Sequence, residues 1–453
     1  MNKFSALKLL LIILISVNTV VWGQNGWKAG VARTIITPNE NIWMAGYASR
    51  TQPADGKIHD LWAKAVALQD AKGNKSLLVT SDILGFPKDV SDYIREEIRK
   101  KHGLSKAQII LNSSHTHSGP VLNKALEDIY PITPDQQAKI NRYTSNLASE
   151  IIKLADAALN NFEPVTLHSA NGVTRFQVNR RNNPANLLTV LPELKGPNDY
   201  AVPVIKLTNA KGDIKAIIFG YACHPTVLSG LQWSGDYPGF AQIELEKNHP
   251  GATALFFQGA SGDQNPLPRH TVALAKQFGF ELAAAVDRVL EEEMKELSPE
   301  LATSYAEIDL KFAKLPTSDD FKAARNSSIN YVNKWATRLE NQVKNKEKLP
   351  VSYPYPVQAW RLGNQALINL AGEVTIEYAI KIKKIFGVET FVMAYSNDVM
   401  GYIPSLTVLR EGGYEGDTSQ MVYGLPSVWE PSIESSIIQT AIQVGQEAGI
   451  PFP

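Results

Sequence analysis

Cysteine is nearly absent from this sequence: Cys223 is the only one in 453 residues. A disulfide within the chain is therefore excluded, and stability has to come from the packed core. Cys223 stands beside His224, which makes a thiolate metal ligand one interpretation of it. We favour the other interpretation, a small apolar side chain buried in the core.

The sequence also lacks net charge, since 45 basic residues are matched by 45 acidic ones. Such a balance leaves no electrostatic footprint for nucleic acid and no bias toward an anionic membrane surface. No repeat of fixed period and no low-complexity segment interrupts the chain, so solenoid and linker architectures find no support.

Long apolar runs are absent except at the N-terminus. There the run from Leu9 to Ile15 follows Lys3 and Lys8 and precedes the small residue Gly23. This pattern predicts a cleavable signal peptide at residues 1–23 and export to the periplasm or beyond, with an uncleaved membrane anchor as the alternative. We expect residues 24–453 to form one hydrolase domain, although length alone allows several.

Short apolar runs alternate with segments of helical periodicity along the rest of the chain. The runs at 77–80, 109–111, 202–205, 214–219, 254–257 and 390–393 predict buried strands. Helical spacing predicts helices at 90–101, 136–159, 272–293 and 374–386, and a polar, helix-like surface excursion at 317–348. The predicted fold class is mixed α/β: a layered sheet with flanking helices and an active site in loops at strand ends.

Two of the predicted strands lead into histidines. The strand at 109–111 runs into His115 and His117, and the strand at 214–219 runs into His224. On an extended segment residues i and i+2 share a face, so both imidazoles of the first pair can point into one cleft. Histidines from remote strands are a common basis of zinc sites, although a single His-x-His is more often structural.

The motifs resemble those of the neutral/alkaline non-lysosomal ceramidases. The residues that carry the resemblance occur in the family's order: Gly30–Arg33 with Ile36–Pro38, Ser114–Pro120, Cys223–Thr226, Gly259–Asp263, Ala371–Glu373 and Asn397–Ile403. The likeness covers nearly all of the chain after residue 24 and implies the N-terminal amidohydrolase domain of that family. The immunoglobulin-like C-terminal domain of those enzymes is expected to be missing.

The resemblance implies a set of site residues. It makes His115, His224, Glu373 and Tyr402 the ligands of a single zinc ion per chain, and His117 the group that carries a proton to the leaving group. It further implies roles in catalysis for Tyr414 and Asp263, and contact with substrate for Arg180. For Glu373 a carboxylate at a helix start is the alternative role, and for Tyr402, Tyr414 and Arg180 plain structural roles stay open.

One position departs from the family pattern. Asn265, which we count among the catalytic residues, stands where the resemblance implies a serine close to the reacting amide. Asparagine offers no hydroxyl nucleophile, but its amide can donate a hydrogen bond. We expect hydrolysis by zinc-activated water with an altered choice of substrate.

Three functions stay open from the sequence. The first is cleavage of an N-acyl bond in ceramide or a related lipid or small molecule, with possible peripheral membrane contact and no obligate protein partner. The second is a zinc-dependent esterase or deacetylase acting on acylated sugars or other small esters. The third is a non-catalytic binding protein that has kept the fold.

Overall fold

The computed structural model describes residues 26–452. The predicted signal peptide at 1–23 lies outside the described residues. Within residues 26–452, no helix has the length and apolar character needed to cross a bilayer.

The strands follow one another along the chain with these bounds: β1 (Trp27–Ile35), β2 (Gly56–Lys57), β3 (Trp62–Gln69), β4 (Lys75–Ser81), β5 (Ile109–Ser113), β6 (Glu163–Val173), β7 (Gln177–Asn179), β8 (Ala201–Asn209), β9 (Ile214–Tyr221), β10 (Gln232–Trp233), β11 (Thr253–Gln258), β12 (Gln264–Pro266), β13 (Lys295–Glu296), β14 (Leu301–Lys311), β15 (Ser352–Leu362), β16 (Gln365–Leu370), β17 (Glu373–Val374), β18 (Phe391–Met393) and β19 (Tyr402–Ile403). The α-helices are α1 (Lys88–His102), α2 (Pro134–Leu159), α3 (Asp236–Asn248), α4 (Val272–Glu291), α5 (Ser318–Arg325), α6 (Asn330–Lys344), α7 (Ile376–Phe386), α8 (Leu406–Glu411), α9 (Ser419–Val422) and α10 (Ile433–Glu447). Short 3-10 turns at Lys106–Gln108 and Ala185–Leu187 and a π turn at Tyr414–Thr418 complete the elements.

A large mixed sheet forms the first layer. Its strands lie in the order β11-β9-β8-β6-β1-β3-β4-β5, and β13 pairs with β6. The β11–β9 and β4–β5 pairs at the two ends are parallel, and the pairs between them are antiparallel. All five residues of β5 are buried, and the first three, Ile109–Leu111, form the apolar run that predicted this strand.

Helix α2 shows how sequence periodicity becomes packing. Pro134 occupies its first turn, and the hydroxyl of Thr133 accepts a hydrogen bond from the Gln136 amide, so the helix begins with its cap satisfied. Ile140, Leu147 and Ile151 recur at helical spacing and are buried in the core beside the sheet. Burying such side chains stabilises the fold by roughly 1.5–3 kcal/mol each.

A second, four-stranded sheet has the order β14-β15-β16-β18. Helices α7 and α10 contribute Ile376, Ile382 and Ile437 to the core that it shares with them. The chain leaving β18 then joins the two edge strands of the large sheet. The Asn397 amide donates to the Leu111 carbonyl of β5 at 2.7 Å, and the Ala394 amide donates to the Gln258 carbonyl of β11 at 2.9 Å.

The fold class predicted from sequence is confirmed, and each predicted helix and strand coincides with an observed one. The 317–348 excursion is α5 and α6, which bury Phe321, Trp335 and Leu339 in a small core of their own. Sequence reasoning missed the long antiparallel pair β14–β15. In β14 partly exposed residues interrupt the buried ones, and β15 contains Pro354 and Pro356, so neither strand has a continuous apolar run in the sequence.

Candidate metal centre

His115 lies two residues beyond the end of β5. Its backbone has a φ of 63°, so the segment is a left-handed turn and not the extended strand on which the sequence argument relied. The His115 amide donates to the Ile83 carbonyl at 3.0 Å, and its Nδ1 donates to the Leu84 carbonyl at 2.6 Å. A carbonyl only accepts hydrogen bonds, so Nδ1 carries a proton, and in the neutral imidazole the lone pair is on Nε2, which points into the site.

His224 is held in the same way beyond the end of β9. Its amide donates to the Gln264 carbonyl at 3.0 Å, and its Nδ1 donates to the Ser261 carbonyl at 2.6 Å. Burial lowers the pKa of His224 to about 4, so the imidazole is neutral at pH 7. Its Nε2 therefore offers a second lone pair to the site.

Glu373 and Tyr402 come from two short parallel strands. The two residues are register partners in the β17–β19 pair. Gly372 brings the chain in with a φ of +70°, and a Cβ there would lie 2.8 Å from Ile403 Cγ1 and 2.9 Å from the Gly401 carbonyl oxygen. The turn therefore requires glycine on both conformational and steric grounds.

The donor atoms of these residues converge. Glu373 Oε2 lies 3.1 Å from His115 Nε2 and 2.9 Å from His224 Nε2, and the Tyr402 hydroxyl lies 3.5 Å from His224 Nε2. A carboxylate and two imidazole lone pairs thus face one another, and all three are electron donors. Such a set fits a divalent cation, and its nitrogen and oxygen composition suits zinc.

His117 joins the cluster with a different environment. Its Nε2 lies 3.3 Å from His115 Nε2, and the ligand atoms of His115, His117 and His224 all lie within 4.8 Å of one another. Burial and the neighbouring imidazoles lower the pKa of His117 well below its ordinary value. Among the residues described, no partner hydrogen-bonds its Nδ1. His115 and His224 are each anchored by a carbonyl, as metal-binding histidines usually are, and His117 is not.

Arg180 connects the Tyr402 hydroxyl to the neighbouring loops. Its Nη2 donates to Tyr402 Oη at 3.0 Å and to the Gly262 carbonyl at 2.8 Å, and its Nε donates to Glu415 Oε1 at 2.7 Å. A further bond runs from Nη1 to Asn265 Oδ1 at 3.2 Å. A guanidinium has five N–H groups, so one remains for a substrate. Burial raises the pKa of Tyr402 well above its ordinary value, and Arg180 acts in the opposite direction.

The other predicted residues lie at different depths. Tyr414 is 43% exposed, and its ring centroid lies 5.3 Å from that of Tyr402, so it stands at the mouth of the site. Asn265 is buried beside Arg180. Asp263 lies beneath the site: its Oδ1 accepts from the Ile376 amide at 2.9 Å, and its Oδ2 accepts from Asn179 Nδ2 at 3.0 Å. Asp263 therefore supports the start of α7 and strand β7, and none of its hydrogen bonds goes to an imidazole.

Sequence reasoning missed several residues around the centre. The Tyr423 hydroxyl donates to Glu373 Oε1, which leaves Oε2 turned toward the histidines. The Tyr395 ring packs 4.5 Å from the His115 ring, and the Tyr47 ring packs 4.7 Å from the His117 ring. A Cβ at Gly46 would lie 2.4 Å from His117 Cγ, so this glycine gives the imidazole its space. None of these contacts has a local sequence signal, because each joins residues far apart in the chain.

Cys223 is fully buried in the apolar core around α3 and α4, as predicted. Its carbonyl accepts from the Tyr237 hydroxyl at 2.5 Å. Burial raises the pKa of the thiol well above its ordinary value, which opposes the thiolate that a metal would need.

Comparison with known families identifies the chain. The model of the neutral/alkaline non-lysosomal ceramidase family, N-terminal, matches residues 27–273. The chain belongs to this family. The match includes His115, His117 and His224 and ends before Glu373, Tyr402 and Tyr414.

Individual relatives agree with this assignment. Neutral ceramidase B of Dictyostelium discoideum is 25% identical over 267 residues, which cover 54% of this chain and 36% of that protein. The neutral ceramidase of Pseudomonas aeruginosa is 23% identical over 256 residues, covering 53% of this chain and 37% of that protein. The matched stretches thus span little more than a third of those relatives' lengths.

Solved structures show the same fold. The crystal structure of the Pseudomonas aeruginosa neutral ceramidase superposes with a TM-score of 0.72 at 17% identity and covers 94% of this chain and 75% of that one. A ceramidase complexed with C2 superposes with a TM-score of 0.73 at 16% identity, covering 95% and 76%. At these identities the likeness is one of fold.

Proposed function

We propose that this chain is a zinc-dependent amidohydrolase that cleaves the N-acyl bond of ceramide or of a related N-acyl compound. One observation carries the proposal: His115 Nε2 and His224 Nε2 converge on Glu373 Oε2 at 3.1 and 2.9 Å. Family membership supports the reaction class, because the named relatives are ceramidases.

His115, His224, Glu373 and Tyr402 would hold the ion. A zinc ion bound there supplies a Lewis acid and lowers the pKa of a coordinated water to about 7. The carbonyls of Leu84 and Ser261 orient the two imidazoles, and the Tyr423 hydroxyl orients the carboxylate. Arg180 offsets negative charge on the Tyr402 oxygen.

The reaction consumes one water for each bond broken. Water adds to the acyl carbon, the C–N bond breaks, and the products are a carboxylic acid and an amine. The amine nitrogen must gain a proton as it leaves. We assign His117 to pass this proton on from the attacking water, because its imidazole is neutral at pH 7 and its Nε2 lies 3.3 Å from His115 Nε2 in the centre. Such proton transfer typically contributes about 100- to 10,000-fold to the rate.

We also propose that residues 24–453 act as one hydrolase unit that is exported after removal of residues 1–23. The N-terminal sequence of the protein recovered from its native host tests this point. A mature N-terminus near residue 24 in the extracellular or periplasmic fraction is the expected result, and an intact Met1 in the membrane fraction contradicts it.

The metal and the reaction are tested together on purified protein. We expect near-stoichiometric zinc in the wild type, a large loss in His115→Ala and in His224→Ala, and no loss in His249→Ala, a control histidine that pairs with Asp287 on the surface. Undiminished zinc in both site variants contradicts the proposal.

Substrate pairs then decide which bond is cleaved. Ceramide, a single-chain N-acyl amide and an O-acetylated sugar are incubated with the enzyme, with and without a chelator. Chelator-sensitive release of fatty acid from at least one of the two amides is expected. Turnover of the ester alone favours the esterase, and bound zinc without turnover of any of the three favours the binding protein.

A further inference from the structure

A cavity of about 460 Å³ opens beside the candidate metal centre. Three guanidinium groups line it, from Arg180, Arg181 and Arg269, together with Asn265, Tyr414 and Glu415. Arg180 joins the cavity to the centre, since its Nη2 donates to the Tyr402 hydroxyl at 3.0 Å. A substrate whose acyl group reaches the histidines can therefore extend into this cavity.

The three guanidinium groups are not equally compensated. Glu415 accepts from Arg180 at 2.7 Å and from Arg181 at 2.6 Å, and Arg181 also pairs with Glu411 at 3.0 Å. Over the part of the chain that the structure describes, Arg269 forms no ion pair and no hydrogen bond, although it is only partly exposed.

The buried carboxyl group of Asp236 does not pair with Arg269 either. Asp236 is fully buried, and its oxygens accept from the amides of Leu228 at 2.8 Å and Tyr237 at 2.6 Å. These hydrogen bonds hold the Asp236 carboxyl group against the neighbouring backbone. The Arg269 guanidinium is therefore an uncompensated cation in the wall of the cavity.

We propose that this cavity binds an anionic group of the substrate, with Arg269 as its main partner, which makes the substrate an N-acyl compound bearing a carboxylate, sulfonate or phosphate. The inference rests on the proposed amide hydrolysis and narrows its substrate. A guanidinium can donate two parallel hydrogen bonds to such a group, and each charge-assisted bond is stronger than a neutral one.

The cavity wall also disfavours a second long alkyl chain. Among its lining residues only Leu267, Ala185 and the ring of Tyr414 are apolar, and the remainder are charged or amide side chains. An alkyl chain placed there would desolvate guanidinium groups without giving them partners, which costs free energy. A short anionic substituent instead accepts hydrogen bonds from the guanidinium groups in place of the displaced water.

The test compares substrates that differ in charge alone. N-dodecanoylglycine and N-dodecanoylglycinamide share the acyl chain and the scissile bond, and N-dodecanoyltaurine replaces the carboxylate by a sulfonate. With zinc-loaded full-length protein we expect kcat/KM for the carboxylate to exceed that for the neutral amide by about 10- to 100-fold. The taurine compound distinguishes carboxylate from sulfonate preference.

Arg269→Gln should abolish this preference by raising KM for the anion. Arg269→Lys, which keeps the charge, should restore part of it, and Arg288→Gln, the same change on the exposed face of α4, should leave it intact. A preference that survives Arg269→Gln overturns the inference, as does equal hydrolysis of the charged and neutral compounds. The latter result would leave amide hydrolysis itself standing.

Calorimetry decides the case if no compound is hydrolysed. Tighter binding of N-dodecanoylglycine than of its amide by the wild type, lost in Arg269→Gln, supports the anion site while contradicting the hydrolase. Equal affinities, or no measurable binding of either compound, overturn the anion site.

Discussion

Glu373 and Tyr402 lie side by side as register partners in the parallel pair β17–β19. The Glu373 amide donates to the Gly401 carbonyl at 2.9 Å, and the Tyr402 carbonyl accepts from Trp429 Nε1 at 2.8 Å. The oxygen donors of the centre are thus held by a backbone ladder, whereas the two anchored histidines follow the ends of β5 and β9. Because each ligand side chain is held by its own hydrogen bonds, the contribution of each one can be tested by a separate substitution.

The carboxylate of Glu373 should be required for metal binding. Glu373→Gln keeps the side chain's shape but removes the charge that faces the two imidazoles. We expect zinc affinity to fall further than the roughly 10- to 100-fold typical of losing an outer partner. Zinc content by mass spectrometry of the purified variant measures this, and Glu377→Gln on α7 is the control. Equal zinc in the two variants would exclude Glu373 as a ligand.

The hydroxyl of Tyr423 should tune the same carboxylate from outside. Tyr423→Phe removes the bond to Glu373 Oε1 while leaving the ring in place, so we expect zinc affinity to fall by about 10- to 100-fold. Competition with a fluorescent chelator gives the affinity. Tyr305→Phe, which removes a surface hydroxyl bonded to Glu307, should leave the zinc affinity unchanged. An unchanged affinity in Tyr423→Phe would show that the contact is dispensable.

His117 should separate turnover from metal binding. Because its Nδ1 has no anchoring carbonyl, His117→Ala is expected to retain zinc while lowering kcat by about 100- to 10,000-fold. Zinc content and single-turnover kinetics are measured on one preparation. Loss of zinc in this variant would make His117 a ligand, and full activity would remove it from the mechanism.

Gly372 should be irreplaceable for a steric reason beyond its backbone angle. Gly103 has nearly the same φ, +72° against +70°, but no atom lies within 4 Å of a Cβ built there. Gly103→Ala therefore carries the left-handed cost alone, about 1–2 kcal/mol. Gly372→Ala adds the clash with Ile403 and Gly401, which we expect to cost at least about 1 kcal/mol more in urea unfolding. Equal losses in both variants would show that the ladder moves aside.

Asp236 should make the protein less stable as the pH rises. Burial raises its pKa from 3.8 to about 7, so between these values the folded state holds a proton that the unfolded state releases. The stability it contributes is complete below pH 3.8 and is lost as the pH rises through about 7, a change of up to about 4 kcal/mol.

Asp236→Asn removes this dependence, and asparagine tolerates the φ of 55° at this position, but the variant loses one of the two amide hydrogen bonds that the carboxyl oxygens accept. Urea unfolding between pH 4 and 8 should give a flatter curve for this variant than for the wild type. Asp319→Asn, at an exposed helix start, is the control. Parallel curves for Asp236→Asn and the wild type would show that Asp236 does not titrate in this range.

The sequence by itself determined the elements whose signals are local. Apolar runs located β4, β5, β8, β9, β11 and β18, and helical spacing located α1, α2, α4 and α7, because burial imposes a period that neighbouring residues share. The same apolar runs predicted that His115 and His224 follow the ends of two strands. The order of the motifs along the chain indicated the family.

Only the tertiary structure decided which residues surround those histidines. Tyr423, Tyr395 and Tyr47 reach the centre from distant parts of the chain, and the Glu373–Tyr402 register comes from pairing between strands of two residues each. Arg269 gained its significance only when the loops brought Glu415 to Arg180 and Arg181 and left the third guanidinium without a partner. Such relations depend on distances between remote segments, and no periodicity along the chain encodes them.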